Sequence, residues 1–280
     1  MTYSIKKRVL LFCSLFVIAI IGLTEASAQS YQSREGDSIN PRFYVTAGYY
    51  FPTINTSLRI DGRLGLGTEI GLEDLGLDEE KSVFKLGSAI RVSPKSQLAI
   101  TYTSINRNAS AVLERDVIIG ETTFEAGSGL AFKFNVDYYA LTWRYSFFNE
   151  KNWNGGASIG ARAVSIKTGF DARVNDKTSS ENTNVTAPAI LFGVHGGAYL
   201  TPRLLARYSL EYFYLSVNGL NINVVESNAS VQYFIFKKFG LGLAYSTNDY
   251  LVRDVPIGED FTGKIDFNFG GFNLFLSGRF

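Results

Sequence analysis

The chain has 280 residues, 46% hydrophobic and 14% aromatic, with 27 basic and 26 acidic side chains and one histidine. That balance gives no argument for nucleic-acid binding, and a single cysteine, Cys13, rules out structural disulfides and thiolate metal sites. Length admits one large domain or two small ones, and no Pro- or Ser-rich linker divides the chain.

Residues 1–28 carry the three parts of a secretory signal. Lys6, Lys7 and Arg8 form a basic start, Val9–Leu23 an apolar core, and Ala26–Ala28 ("ASA") a small-residue cleavage site. The apolar core is short for a membrane helix, which needs about 20 residues. Cleavage after Ala28 removes three basic and one acidic side chain, so the mature chain carries a net charge near −1 and no cysteine.

From Phe43 the sequence alternates with the period of a β-strand. "RFYVTAGYYF" sets Phe43, Val45, Ala47, Tyr49 and Phe51 on one face. "VFKLGSAIRV" sets Phe84, Leu86, Ile90 and Val92 against Lys85, Gly87, Ala89 and Arg91, and "QLAITYTS" follows after a tight "SPKS" turn. "YYALTWRYSF" sets Tyr139, Leu141, Trp143, Tyr145 and Phe147 against Ala140, Thr142, Arg144 and Ser146. "WNGGASIGARA", "AILFGVHGGAYL", "LLARYSLEYFYL", "NASVQYFI" and "GLGLAYS" continue the series. The last strand runs from about Ile265 to Phe280, and its apolar phase changes at Gly270–Gly271, which predicts a bulge there. Connections after Val92, Phe147, Leu200 and Ile235 read as tight. Those after Phe51, Ser104, Ile166 and Val252 read as longer and polar, apart from an Asn218–Gly219 hairpin turn. One face is rich in aromatics; the other reads as small and polar, unlike the second buried face of a sandwich.

The signal segment, the "WRYSFFNEKNWNGGASIGA" strand–turn–strand, the "GLGLAYS" strand and the terminal Phe280 resemble the small Gram-negative outer-membrane β-barrel proteins, the broad OmpW, OmpA-barrel and opacity-protein group. The resemblance covers roughly Phe43 to Phe280. It implies an all-β fold, a transmembrane antiparallel up-and-down β-barrel of about ten strands, within a range of eight to twelve, with short periplasmic turns and longer extracellular loops. Residues 1–28 are then a cleaved signal peptide, 29–40 a short periplasmic N-terminal segment, and 41–280 the barrel. In lipid every backbone group must pair, so the last strand must close on the first. Phe272, Leu274, Leu276 and Phe280 resemble the C-terminal signal that the outer-membrane assembly machinery reads. The resemblance implies a monomer in the cell outer membrane, in contact with lipid and lipopolysaccharide. The role it implies is structural, surface-interacting or narrow small-solute passage, without cofactor or catalysis.

The candidate functional residues lie on the other face. Arg91, Arg144, Arg162, Arg207, His195 and Glu211 all point inward by parity, with Glu211 the nearest inward carboxylate. Their leading reading is a charge network that fills the lumen; the second is a narrow, anion-preferring constriction. His195 raises a hydrolase alternative of the lipid A deacylase or omptin kind. Lipid A deacylases pair their histidine with a serine two residues on, where this chain has Gly197. Omptins place theirs near the outer rim, whereas His195 lies six residues before Thr201, near the short-turn end. A hydrogen-bonded lumen histidine is the expectation. Residues 53–80 carry Arg59 and Arg63 against Asp61, Glu69, Glu73, Asp74, Asp78, Glu79 and Glu80, an acidic outer rim.

Overall fold

The computed structural model of the protein describes residues 39–61, 69–71, 73, 82–112, 116–119, 122–124, 127, 129–174, 177–217, 220–257 and 261–280. The signal segment and most of residues 29–40 lie outside these, as do Asn218–Gly219 and most of residues 62–81. The described strands are β1 (Phe43–Asp61), β2 (Ile70–Gly71), β3 (Val83–Ser93), β4 (Ser96–Val112), β5 (Val117–Ile119), β6 (Thr122–Phe124) and β7 (Gly129–Asn149). They continue with β8 (Trp153–Val174), β9 (Lys177–Thr201), β10 (Leu204–Val217), β11 (Leu220–Phe234), β12 (Phe239–Ile257) and β13 (Phe261–Arg279).

Ten of them close a barrel. Neighbours run antiparallel in the order β13, β12, β11, β10, β9, β8, β7, β4, β3, β1, and β13 pairs back on β1. The closing register is unbroken from Tyr44↔Arg279 to Asp61↔Thr262, and Phe43 and Phe280 exchange backbone hydrogen bonds of 2.8 Å in both directions. Closure leaves no sheet edge, the condition for crossing a bilayer with strands. Strand β2 is a short addition to β1, and β5 and β6 form a separate hairpin.

The turn around Pro94–Lys95, those at 150–152 and 202–203, and that at 235–238 lie at one end with the Phe43–Phe280 closure. Short turns face the periplasm in barrels of this kind, which orients the molecule. At the opposite end the segments read as long polar loops are largely strand. β1 runs on to Asp61, β4 to Val112, β8 to Val174 and β12 to Ile257, and β9 begins at Lys177. About 9–11 residues suffice to span a bilayer, so β8 and β9, at 22 and 25 residues, continue well beyond it. The sequence of these segments lacks apolar alternation, yet each keeps a neighbour to pair with.

The outer surface is that of a membrane protein. Phe43, Phe147, Phe148, Trp153, Phe239 and Phe280 are exposed near the short-turn end. Tyr49, Phe84, Tyr139, Tyr212 and Tyr214 are exposed higher up, with Leu86, Ile100, Leu141 and Leu243 between. Two aromatic belts flanking an aliphatic band match the two interfaces of a bilayer. The upper belt ends abruptly: just above Tyr102 and Tyr139, whose rings lie 5.0 Å apart, Asp137 accepts from Ser104 at 2.7 Å and from Lys167 at 3.2 Å.

The bulge expected at Gly270–Gly271 is absent. Register with β1 and β12 runs straight through both glycines, so Phe267 and Phe269 point inward while Phe272 and Leu274 point to lipid. The apolar phase changes because the apolar environment changes sides. In the outer half of the lumen Tyr50, Ile54, Ile105, Phe134, Val136, Leu191, Val224, Tyr250, Phe267 and Phe269 form one buried cluster. The rings of Phe267 and Phe269 lie 5.0 Å apart, and Phe134 and Phe267 5.8 Å. The inner face is therefore small and polar only in its periplasmic half.

Candidate functional site

Layers of side chains fill the lumen from the periplasmic mouth upward. At the bottom Ile39 is buried against Leu205 and Phe234, and the Arg279 guanidinium lies 3.8 Å from the Phe234 ring centre while donating to the Tyr199 hydroxyl. Asn40 sits just above. Its amide donates to Asn149 at 3.0 Å and its side-chain oxygen accepts from Asn154 at 2.9 Å. Arg91 donates to the Asn40 carbonyl, and Arg207 to that of Ile39, each at 3.1 Å. Residues 39–40, the end of the segment expected in the periplasm, are thus drawn into the barrel.

The middle layer is ionic. Arg162 donates to Glu211 and to Glu226, the latter at 2.9 Å, and all three side chains are nearly inaccessible to solvent. Glu211 and Glu226 stand directly opposite each other on β10 and β11. Two carboxylates so placed repel each other, and one guanidinium between them reverses the sign of the interaction. The remaining lone pairs are used: Ser158 donates to Glu211 at 3.0 Å, while Tyr138 (2.9 Å) and Tyr250 donate to Glu226. Thr142 accepts from Arg162 at 3.0 Å. Room for the cluster comes from glycine: a Cβ at Gly160 would stand 2.3 Å from the Arg162 Nη1, and one at Gly193 2.6 Å from the Glu211 Cγ.

Beside the ionic layer, from Asn40 up to Tyr50, Tyr138 and Phe269 of the apolar cluster, lies a cavity of about 240 Å³, its wall including Lys85, Arg144, Arg162, His195, Arg207, Glu211 and Glu226. His195 Nε2 is 3.2 Å from the Ser146 hydroxyl. A serine beside an imidazole is the beginning of a nucleophile–base pair. Such a pair needs an acceptor orienting the imidazole, and among the described residues His195 Nδ1 has no hydrogen-bond partner. Among the described residues no group of three His, Cys, Asp or Glu side chains is placed to hold a metal ion.

Above the ionic layer comes the apolar cluster, and above that a second ion pair. Arg107, fully buried, donates to Glu73 at 2.7 Å and to Thr56, and its guanidinium lies 5.0 Å from the Phe134 ring centre. Glu73 also accepts from the Thr56 backbone at 2.8 Å. One acid of the expected rim therefore turns inward. Another, Glu69, lies on the surface, where a 2.8 Å hydrogen bond from Lys264 holds its carboxyl below the usual range.

Of the six inward residues singled out from sequence, Arg144, Arg162, His195, Arg207 and Glu211 share the cavity wall, and Arg91 lies below it. Phe272, Leu274, Leu276 and Phe280 face lipid on β13. A second inward carboxylate, Glu226, has a part equal to that of Glu211; Lys85, inward by parity, and Glu73, read as rim, also belong inside, and Tyr138, Tyr250 and Arg107 were missed. Glu226 shares its inward parity with Val224 and Gln232, which was the available signal. Only the β10–β11 register places it opposite Glu211.

No protein-family model matches the chain, and no curated protein matches it. Among solved structures, the outer membrane protease OmpT from Escherichia coli is similar at a TM-score of 0.53 and 11% identity, covering 88% of this chain and 99% of that one. The translocator domain of the autotransporter NalP from Neisseria meningitidis follows at 0.42 and 10%, covering 96% and 97%. OprG from Pseudomonas aeruginosa gives 0.40 and 11%, covering 86% and 96%. At these identities the likeness to OmpT speaks for the fold alone.

Proposed function

We propose that the protein is a monomeric integral outer-membrane barrel with a structural or surface-interaction role, its lumen closed by its own side chains. One observation carries this reading: an ionic layer, an apolar cluster and the Arg107–Glu73 pair succeed one another across the lumen. A barrel of ten strands leaves little cross-section to begin with. Three stacked layers argue against steady solute passage, so the narrow-passage reading ranks below the structural one. Its lipid-facing belts are suited to outer-membrane lipid and lipopolysaccharide, and its terminal ladder to the assembly machinery.

A catalytic role of the omptin or lipid A deacylase kind ranks lower still. Among the described residues the Ser146–His195 pair has no orienting carboxylate, and it lies on the periplasmic side of the apolar cluster, away from the outer mouth. Supporting the surface reading, the strands that overshoot the membrane do so on the outer side. Cysteine labelling tests this, because the mature chain has no cysteine of its own. A membrane-impermeant maleimide applied to intact cells should label Asn106→Cys and spare Lys95→Cys. Labelling of Lys95→Cys alone would reverse the orientation and remove the surface role.

A further inference from the structure

The charges around the lumen cavity do not cancel. Lys85, Arg144, Arg162 and Arg207 face Glu211 and Glu226, which leaves two positive charges with His195 neutral. The contacts show where they reside. Arg162 lies between both carboxylates, and Lys85 is attracted to Glu226. Arg207 meets neutral groups: the Ile39 carbonyl at 3.1 Å, Gln232 at 3.4 Å and the face of Tyr44 at 4.6 Å. Arg144 shares the cavity wall with Arg207 and Arg162, which repel it, against the attraction of the already paired Glu211 and of Tyr44. Among the described residues, neither Arg144 nor Arg207 forms an ion pair.

Like charges facing one small chamber repel each other unless a counter-charge joins them. We propose that this chamber binds a small soluble oxyanion of two negative charges, of the phosphate or sulfate class, between Arg144 and Arg207. The guanidinium fork presents paired N–H donors at the spacing of two oxyanion oxygens. A lipid headgroup offers the same chemistry, but the closed strand ladder has no lateral slot for the acyl chains attached to it. Entry is from the periplasmic mouth, past the small Ile39–Leu205–Phe234 contact and the hydrogen-bonded Asn40 layer, rather than through the larger apolar cluster above. The site goes beyond the surface role and does not depend on it.

The test is the thermal unfolding midpoint of the mature barrel in detergent micelles, with sodium sulfate or phosphate replacing sodium chloride at constant ionic strength. A ligand that binds only the folded state raises the midpoint with the logarithm of its concentration above Kd. The wild type should show that rise. The R144Q/R207Q variant should show none. A flat wild-type response, or a rise that persists in the variant, would each overturn the proposal. If the variant does not fold, titration calorimetry of the wild type with sulfate decides: saturable heat supports the site, and its absence refutes it.

Discussion

Arg162 holds together two carboxylates that its own removal would set against each other. Replacing a single member of a buried ionic cluster leaves an uncompensated charge, at about 3–5 kcal/mol. Arg162→Met should incur that full loss, since Glu211 and Glu226 would then face each other on adjacent strands. Glu211→Gln or Glu226→Gln should cost less, because the other carboxylate still neutralises the guanidinium. Urea midpoints of the three refolded variants check this order; a neutral Arg162→Met would dismiss the cluster as a stabilising element. At this scale parity alone was legible. Arg162 and Glu211 lie in cleanly alternating strands, and their inward direction follows from the pleat. Glu226 lies in "NINVVESNASVQ", where polar and apolar residues share both faces, and its partner is set by a register that the sequence does not carry.

Among the elements, β13 bears two opposite ladders. Phe272, Leu274 and Leu276 face lipid, while Phe267 and Phe269 complete the internal cluster. Its last residue ties the closure. Phe280 pairs its backbone with Phe43, and its ring lies 6.4 Å from that of Phe43 and 5.9 Å from that of Phe239. Deleting Phe280 removes the final closing hydrogen bonds together with the residue proposed as the assembly signal. Outer membranes of the deletion strain should contain less of the heat-modifiable folded band on a gel. An undiminished band would remove both roles from the terminus. The sequence disclosed that β13 changes phase but not why: a bulge and an apolar lumen both produce the same switch. The outer strand extensions were hidden for a related reason. Their sequence carries no apolar alternation, and what marks them as strand is hydrogen bonding to the neighbouring strand.

As a whole molecule the protein is a membrane barrel turned apolar outside and, in its outer half, apolar inside as well. Strand number and closure were close to legible, because short turns punctuate the alternation and a spanning sheet must close on itself. The seal was not, since it depends on residues far apart in sequence, such as Phe134 and Phe267, meeting across the lumen. Ions cannot cross a dry apolar layer without losing hydration, so the three stacked layers predict an electrically silent protein. The most direct measurement is single-channel recording of the refolded mature protein in a planar lipid bilayer. Sealing predicts no steady conductance above the bare membrane at moderate voltage. A stable open channel in the wild type would contradict it, and a cation-selective one would move attention from the lumen arginines to the acidic outer rim.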